Sequence, residues 1–68
     1  MNIFCKRLKS LRLEKDISRN TLATFLNVSV RSICYWENGE RECDFNTLIK
    51  IAEFFNVTTD YLLGRTEY

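Results

Sequence analysis

The 68-residue sequence contains no proline and no histidine, only two glycines, three cysteines and a single tryptophan. Without proline, no rigid kink or polyproline linker interrupts the chain. With only Gly39 and Gly64, flexible loops have no source. The absence of histidine removes the commonest metal ligand and the usual general base near neutral pH. Cys5, Cys34 and Cys43 are odd in number and widely spaced, which fits neither a disulfide framework nor a structural zinc site, so reduced free thiols are expected. No apolar run is long enough to cross a bilayer, and the basic N-terminus is not followed by the apolar core of a signal peptide. No membrane partner and a cytoplasmic location follow as expectations.

What is present is a dense set of helical spacings. At this length one small domain is expected, here taken as residues 1–68. Phe4, Leu8 and Leu11 recur at intervals of four and three, which predicts a first helix over about residues 3–15. Asp16 and Ile17 form the connection, with Ile17 turned inward. Ser18 is a favourable N-cap for a second helix over about residues 19–26, with Leu22, Phe25 and Leu26 as its core face. Asn27 tolerates the left-handed conformation that ends a helix, and Val28 plugs the corner into the core. The small Ala23 allows the neighbouring helices to approach.

A third helix begins near Val30, capped by Ser29, with Ile33 and Trp36 inward, and the Asn38-Gly39 pair stops it. Asp44 caps a fourth helix carrying Phe45, Leu48, Ile49, Ala52 and Phe55, which ends at Asn56. Val57 turns inward. Thr58 or Thr59 caps a short fifth helix with Tyr61, Leu62 and Leu63, closed by Gly64. The fold class is therefore all-α, a compact five-helix bundle, and aromatic residues at helical spacing are expected in its core. Residues 18–37 make two short helices with a tight corner between them, a helix-turn-helix.

The net charge is only +1, but its distribution is uneven. Lys6, Arg7, Lys9, Arg12, Lys15 and Arg19 face only Glu14 and Asp16 in the first part of the chain, whereas the tail is acidic. Such polarity suits a nucleic-acid ligand on one side, although a solvated charged face produces the same pattern.

Several segments together resemble the small helix-turn-helix repressors of the phage Cro and cI type, the XRE family. They are Arg7-Leu8-Lys9 with Leu11-Arg12; Thr21-Leu22-Ala23; Val28-Ser29 followed by Ile33; Trp36-Glu37-Asn38-Gly39; Leu48-Ile49-Lys50-Ile51-Ala52; and Asp60-Tyr61-Leu62-Leu63-Gly64. The likeness runs from Phe4 to Arg65 and rests on order and spacing rather than on any single motif. It implies a sequence-specific regulator, most naturally a repressor, that binds double-stranded operator DNA as a homodimer. It also implies an internal ion pair between Arg12 and Glu37. The chain departs from the family pattern in having Arg19 where Gln is frequent, Asn27 and Asn56 where Gly is frequent, and Cys43 where Pro often stands.

A recognition helix presents its first turn and one outer face to base edges. By the resemblance, Val30, Arg31 and Tyr35 are the expected base readers, with Cys34 small enough for close approach. Arg31 can donate two bonds to guanine O6 and N7, or act as a phosphate clamp. The expected phosphate contacts are Ser18, Arg19 and Asn20 at one helix N-terminus, Ser29 and Ser32 at the next, and Asn38 with the backbone amides around Gly39 and the side chain of Arg41. No cofactor, metal or small-molecule ligand is implied. Without histidine, a glycine-rich phosphate loop or a carboxylate pair in a pocket, an enzyme is not expected. Two alternatives stay open. The fold can serve as a protein-interaction module, such as an antitoxin or an adaptor to another regulator. Oxidation of Cys34 could also block the groove.

Overall fold

In the computed structural model, which describes residues 3–67, five helices follow one another: α1 (Ile3–Glu14), α2 (Arg19–Leu26), α3 (Val30–Glu37), α4 (Phe45–Phe55) and α5 (Thr59–Leu62). Residues 1, 2 and 68 of the expected domain lie outside the described ones. The first helix stops one residue short of the expected Lys15. Ser18, Ser29, Asp44 and Thr58 are the N-caps of α2 to α5, and each side-chain oxygen accepts from the amide three residues on. The fifth helix is thus capped by Thr58, not Thr59.

All five helices end in the same way. A residue with positive φ follows each: Asp16 (56°), Asn27 (59°), Gly39 (77°), Asn56 (56°) and Gly64 (81°). The next amide then bonds back five residues: Ile17 to Arg12, Val28 to Ala23, Glu40 to Tyr35, Val57 to Ala52 and Arg65 to Asp60. This is the Schellman closure, which satisfies carbonyls that a helix end would leave open. Asn and Asp replace glycine at three of the corners, because their short polar side chains tolerate the left-handed region. At those three corners an inward β-branched residue follows at once. Ile17, Val28 and Val57 all pack on the core, and a hydroxyl N-cap comes next each time. The two glycines stand where no such residue follows.

The core contains Phe4, Leu8, Leu11, Leu22, Ala23, Leu26, Ile33, Trp36, Ile51, Ala52, Phe55 and Leu62. Three expected core residues are not in it: Phe25, Phe45 and Ile49 are 61%, 84% and 49% exposed. On α2, buried Ala23 widens the packed face toward one side and carries its centre away from Phe25. The Phe25 ring instead meets Phe54 of α4 at 4.3 Å between centroids. On α4, the buried stripe runs through Ile51, Ala52 and Phe55 with Leu48 beside it. Ile49 is one position from Leu48, about 100° around the helix, and Phe45 occupies the uncovered first turn. The aromatic residues are therefore divided between core and surface. Leu63 is also exposed, and α5 is anchored by the fully buried Leu62 with Tyr61 packed beside it.

The two ends of the chain are tied together. The Arg7 guanidinium lies over the Tyr61 ring at 4.1 Å and donates to the carbonyls of Tyr61 and Thr66. Gly64 leaves no room for a Cβ, which would sit 2.1 Å from Ile3 Cγ2. Among the described residues no helix is long and apolar enough to cross a membrane.

Candidate nucleic-acid interface

The corner between α2 and α3 brings the second helix across the first at a fixed angle. Ala23, 3% exposed, permits the close approach, and Val28 fills the inside of the corner. The inner face of α3 is then buried through Ile33, Trp36 and Glu37. Val30 and Arg31 are left on the outside of its first turn.

The residues expected to face bases fall into two groups. Val30 and Arg31 are exposed, whereas Cys34 and Tyr35 are half-buried, and Tyr35 packs against the core. The Arg41 guanidinium covers the Tyr35 ring at 4.5 Å. Tyr35 is therefore a platform under Arg41. These two residues, expected to act separately, are physically one unit.

The hydroxyls expected at phosphates already have structural work. Ser18 Oγ accepts from Thr21 N–H at 3.0 Å and pairs with the Thr21 hydroxyl, and Ser29 Oγ accepts from Ser32 N–H at 3.1 Å and pairs with the Ser32 hydroxyl. At the other end of α3 the expected backbone clamp is not available. The amides of Asn38, Gly39, Glu40 and Arg41 all donate to carbonyls of α3: Cys34, Trp36, Tyr35 and Tyr35 respectively. The Schellman closure that ends the helix consumes these donors. What remains there is the Arg41 side chain and the Asn38 amide, which lies 3.5 Å from a Glu40 carboxylate oxygen.

The ion pair between Arg12 and Glu37 is present and buried. Arg12 Nε donates to Glu37 Oε2 at 2.6 Å, Nη2 donates to Oε1 at 3.2 Å, and Nη1 donates to the Ile17 carbonyl at 3.1 Å. Two parallel bonds of this kind match the planar guanidinium to the planar carboxylate. The bridge joins α1 to the last turn of α3. A third contact was not legible in the spacing: Arg19 Nε also donates to Glu37 Oε1, at 3.1 Å. The Glu37 side chain is 0% exposed and the Arg19 side chain 40%. Asn20 is exposed beside it and borders an open apolar groove of about 420 Å³ with Thr21, Thr24, Phe25 and Phe54.

The basic face is thinner than the charge count suggests. Arg7 and Arg12 are engaged inside the molecule, whereas Lys6, Lys9 and Lys15 are exposed. Burial pushes the Cys43 thiol up to about 11, and the adjacent Asp44 carboxylate adds to the rise. Asp44 itself lies below the usual carboxylate range, because the Thr47 hydroxyl and amide both donate to it. No group of His, Cys, Asp and Glu among the described residues is arranged to hold a metal ion.

Comparison with known proteins follows this geometry. The profile of the helix-turn-helix family matches residues 8–62. The chain is 37% identical over 62 residues to the HTH-type transcriptional regulator ImmR of Bacillus subtilis (strain 168), covering 91% of this chain and 49% of ImmR. It thus spans about half the length of that curated relative. A transcriptional regulator from Listeria innocua superposes with a TM-score of 0.90 at 29% identity, over 100% of this chain and 64% of that one. The P22 c2 repressor, solved with a synthetic operator, superposes with a TM-score of 0.89 at 24% identity, over 97% of this chain and 100% of that one. This last likeness concerns the fold.

Proposed function

The chain belongs to the helix-turn-helix family, and from that premise we propose that it is a sequence-specific DNA-binding transcriptional regulator. It works in the cytoplasm as a repressor, by occupying its operator. The observation that carries this reading is the division of α3. Its inner face is locked by Ile33, Trp36 and the buried Glu37, while Arg31 is exposed on the first turn with Val30 at the surface beside it. A helix held rigidly from behind, with an arginine on its outer side, is suited to the major groove.

In this reading Arg31 donates to guanine O6 and N7, Val30 meets a thymine methyl, and Tyr35 and Cys34 approach the neighbouring positions. Arg19 and Arg41 hold phosphates on either side, with Ser18, Asn20, Ser29, Ser32 and Asn38 adding weaker polar contacts. One such domain makes few contacts, so two copies bind a two-fold site with half-sites about 34 Å apart. With Arg19 and Arg41 from each subunit on phosphates, log Kobs falls with log salt at a slope of about −3.6.

Selection of duplexes from a random pool, followed by titration at several salt concentrations, tests the proposal. Recovery of a two-fold motif and a steep salt slope are expected. The Arg31→Ala variant relaxes preference at one base pair by about 1–3 kcal/mol, whereas Arg41→Ala weakens all sequences alike and flattens the slope. Absence of any enriched motif defeats the reading. A second reading, a protein-interaction module, draws on exposed Val30 beside half-buried Cys34 and Tyr35. Salt-insensitive binding to a protein partner, with no retention on heparin, supports that reading instead.

A further inference from the structure

Arg12 and Arg19 converge on a single carboxylate. Glu37 Oε1 accepts from Arg12 Nη2 at 3.2 Å and from Arg19 Nε at 3.1 Å. Two guanidinium charges therefore share one buried negative charge, and the cluster carries an excess of +1. Arg12 is withheld from a ligand: its Nε, Nη1 and Nη2 each donate once within the protein, and its side chain is only 9% exposed. Arg19 is different. Only its Nε is engaged among the described residues, and its side chain is 40% exposed. The end-on fork formed by Nη1 and Nη2 is thus available for an anion, in a plane that Glu37 fixes.

The surroundings favour an anion there. Arg19 is the first residue of α2, whose Ser18 cap bonds the amide and hydroxyl of Thr21 rather than the amides of Arg19 and Asn20. The amides of Arg19 and Asn20 precede the first helical bond, which Leu22 N–H makes to the Ser18 carbonyl. Free amides at a helix start add to the attraction of a cation for phosphate.

We propose that Glu37 is a positioning residue for DNA binding: it holds Arg19 through Nε so that the Nη1/Nη2 fork clasps one backbone phosphate without further ordering. The carboxylate has two tasks. Through Arg12 it ties the recognition helix to α1, and through Arg19 it aims a phosphate clamp at the start of α2. Because the same group anchors α3 and aims the clamp, the phosphate contact and the recognition helix share one frame. This inference rests on the DNA-binding reading above and adds the mechanism of one contact.

Lysine separates aim from charge. A Lys at position 19 retains the positive charge, but its single ammonium cannot bind Glu37 and present a planar fork to phosphate at once. Wild type, Arg19→Lys and Arg19→Gln are to be titrated against a duplex recovered from the random pool, at several salt concentrations. Circular dichroism melts measure the folding of each. For Arg19→Lys the expected result is a loss of affinity of about tenfold per subunit with the salt slope unchanged. For Arg19→Gln the slope falls by about 0.9 per subunit. A Glu37→Gln background, measured at a temperature where that variant is folded, is expected to remove most of the difference between Arg and Lys at position 19. If Glu37→Gln does not fold, the lysine comparison still decides.

Wild-type affinity for Arg19→Lys overturns the proposal, because charge alone then suffices. A lowered melting temperature for Arg19→Gln with an unchanged salt slope also overturns it, because Arg19 is then only a structural partner of Glu37. Failure of the wild-type chain to bind any duplex overturns the functional reading itself, which distinguishes the two failures.

Discussion

Replacing Glu37 by Gln changes one heavy atom at the centre of a buried ion pair. The substitution keeps the shape of the side chain and removes its charge. In the native chain the carboxylate is fully buried and accepts three bonds, two from Arg12 and one from Arg19. A glutamine can accept at one oxygen only, and its amide nitrogen would place donors against guanidinium donors. Arg12, 7% exposed, is then left as a buried charge without its counterion. Removing one partner of a buried pair costs about 3–5 kcal/mol. At about 0.05–0.15 kcal/mol per residue, a chain of 68 residues has about 3–10 kcal/mol in total. The substitution therefore removes about a third or more of the stability, and at the low end of that range all of it. Each kcal/mol shifts the melting temperature of so small a domain by about 4–8 °C, so a fall of at least about 12 °C is expected. Thermal and urea melts followed by far-ultraviolet circular dichroism measure it directly. The paired replacement Arg12→Met with Glu37→Leu is the control. It removes both charges of the bridge, and it should be far less destabilising than Glu37→Gln alone. A loss below about 1 kcal/mol for Glu37→Gln, in the range of an exposed pair, refutes the account of this bridge as a buried anchor.

Three further outcomes follow from the geometry. Tyr35→Phe keeps the platform under Arg41 and removes only the hydroxyl, so operator titrations should show little change, whereas Tyr35→Ala should weaken binding as Arg41→Ala does; a Phe variant as weak as the Ala variant contradicts the platform role. Asn27→Ala places a Cβ-bearing residue without a compensating polar group at φ 59°, and should cost about 1–2 kcal/mol in urea melts, whereas Asn27→Gly should be close to neutral. The Cys43 thiol, raised to about 11 from 9.0, contributes stability that is fully present below pH 9 and is lost as pH rises toward about 11; a thiol-labelling time course at pH 8 should find it slow in the folded protein, and rapid labelling there contradicts its burial.

The helix boundaries were legible because the caps are spelled out in residue chemistry. Ser18, Ser29 and Asp44 announce starts, and Asn27, Asn56 and Gly64 announce stops. Burial was less legible where a stripe could be centred in two ways. Phe25 and Ile49 each fit a helical spacing, but only the neighbouring helix decides which edge of the stripe is covered. The Arg12 to Glu37 bridge came from likeness to a family, not from spacing, since residues 25 apart carry no periodic signal. The bond from Arg19 lacks a sequence signal for a related reason. Glutamine is frequent in the family at that position and gives no warning of a second cation, so only the folded corner shows that the two arginines meet. An Asn-Gly stop does not tell in sequence whether the amides after it are free, and here the closure of the helix engages them all.

The way α3 is divided between inside and outside makes part of it interchangeable. Ile33, Trp36 and Glu37 are needed by the fold, and Cys34 and Tyr35 are half committed to it. Arg31 is exposed and Val30 lies at the surface, 37% exposed, and both follow a serine cap whose bonds are made to the backbone and to Ser32. On the proposed reading, in which these two residues meet bases, chains that differ only there are expected to melt alike and to prefer different operators. On that same reading, residues 30 and 31 can change the address of the protein one substitution at a time, whereas the neighbouring turn is held by the fold.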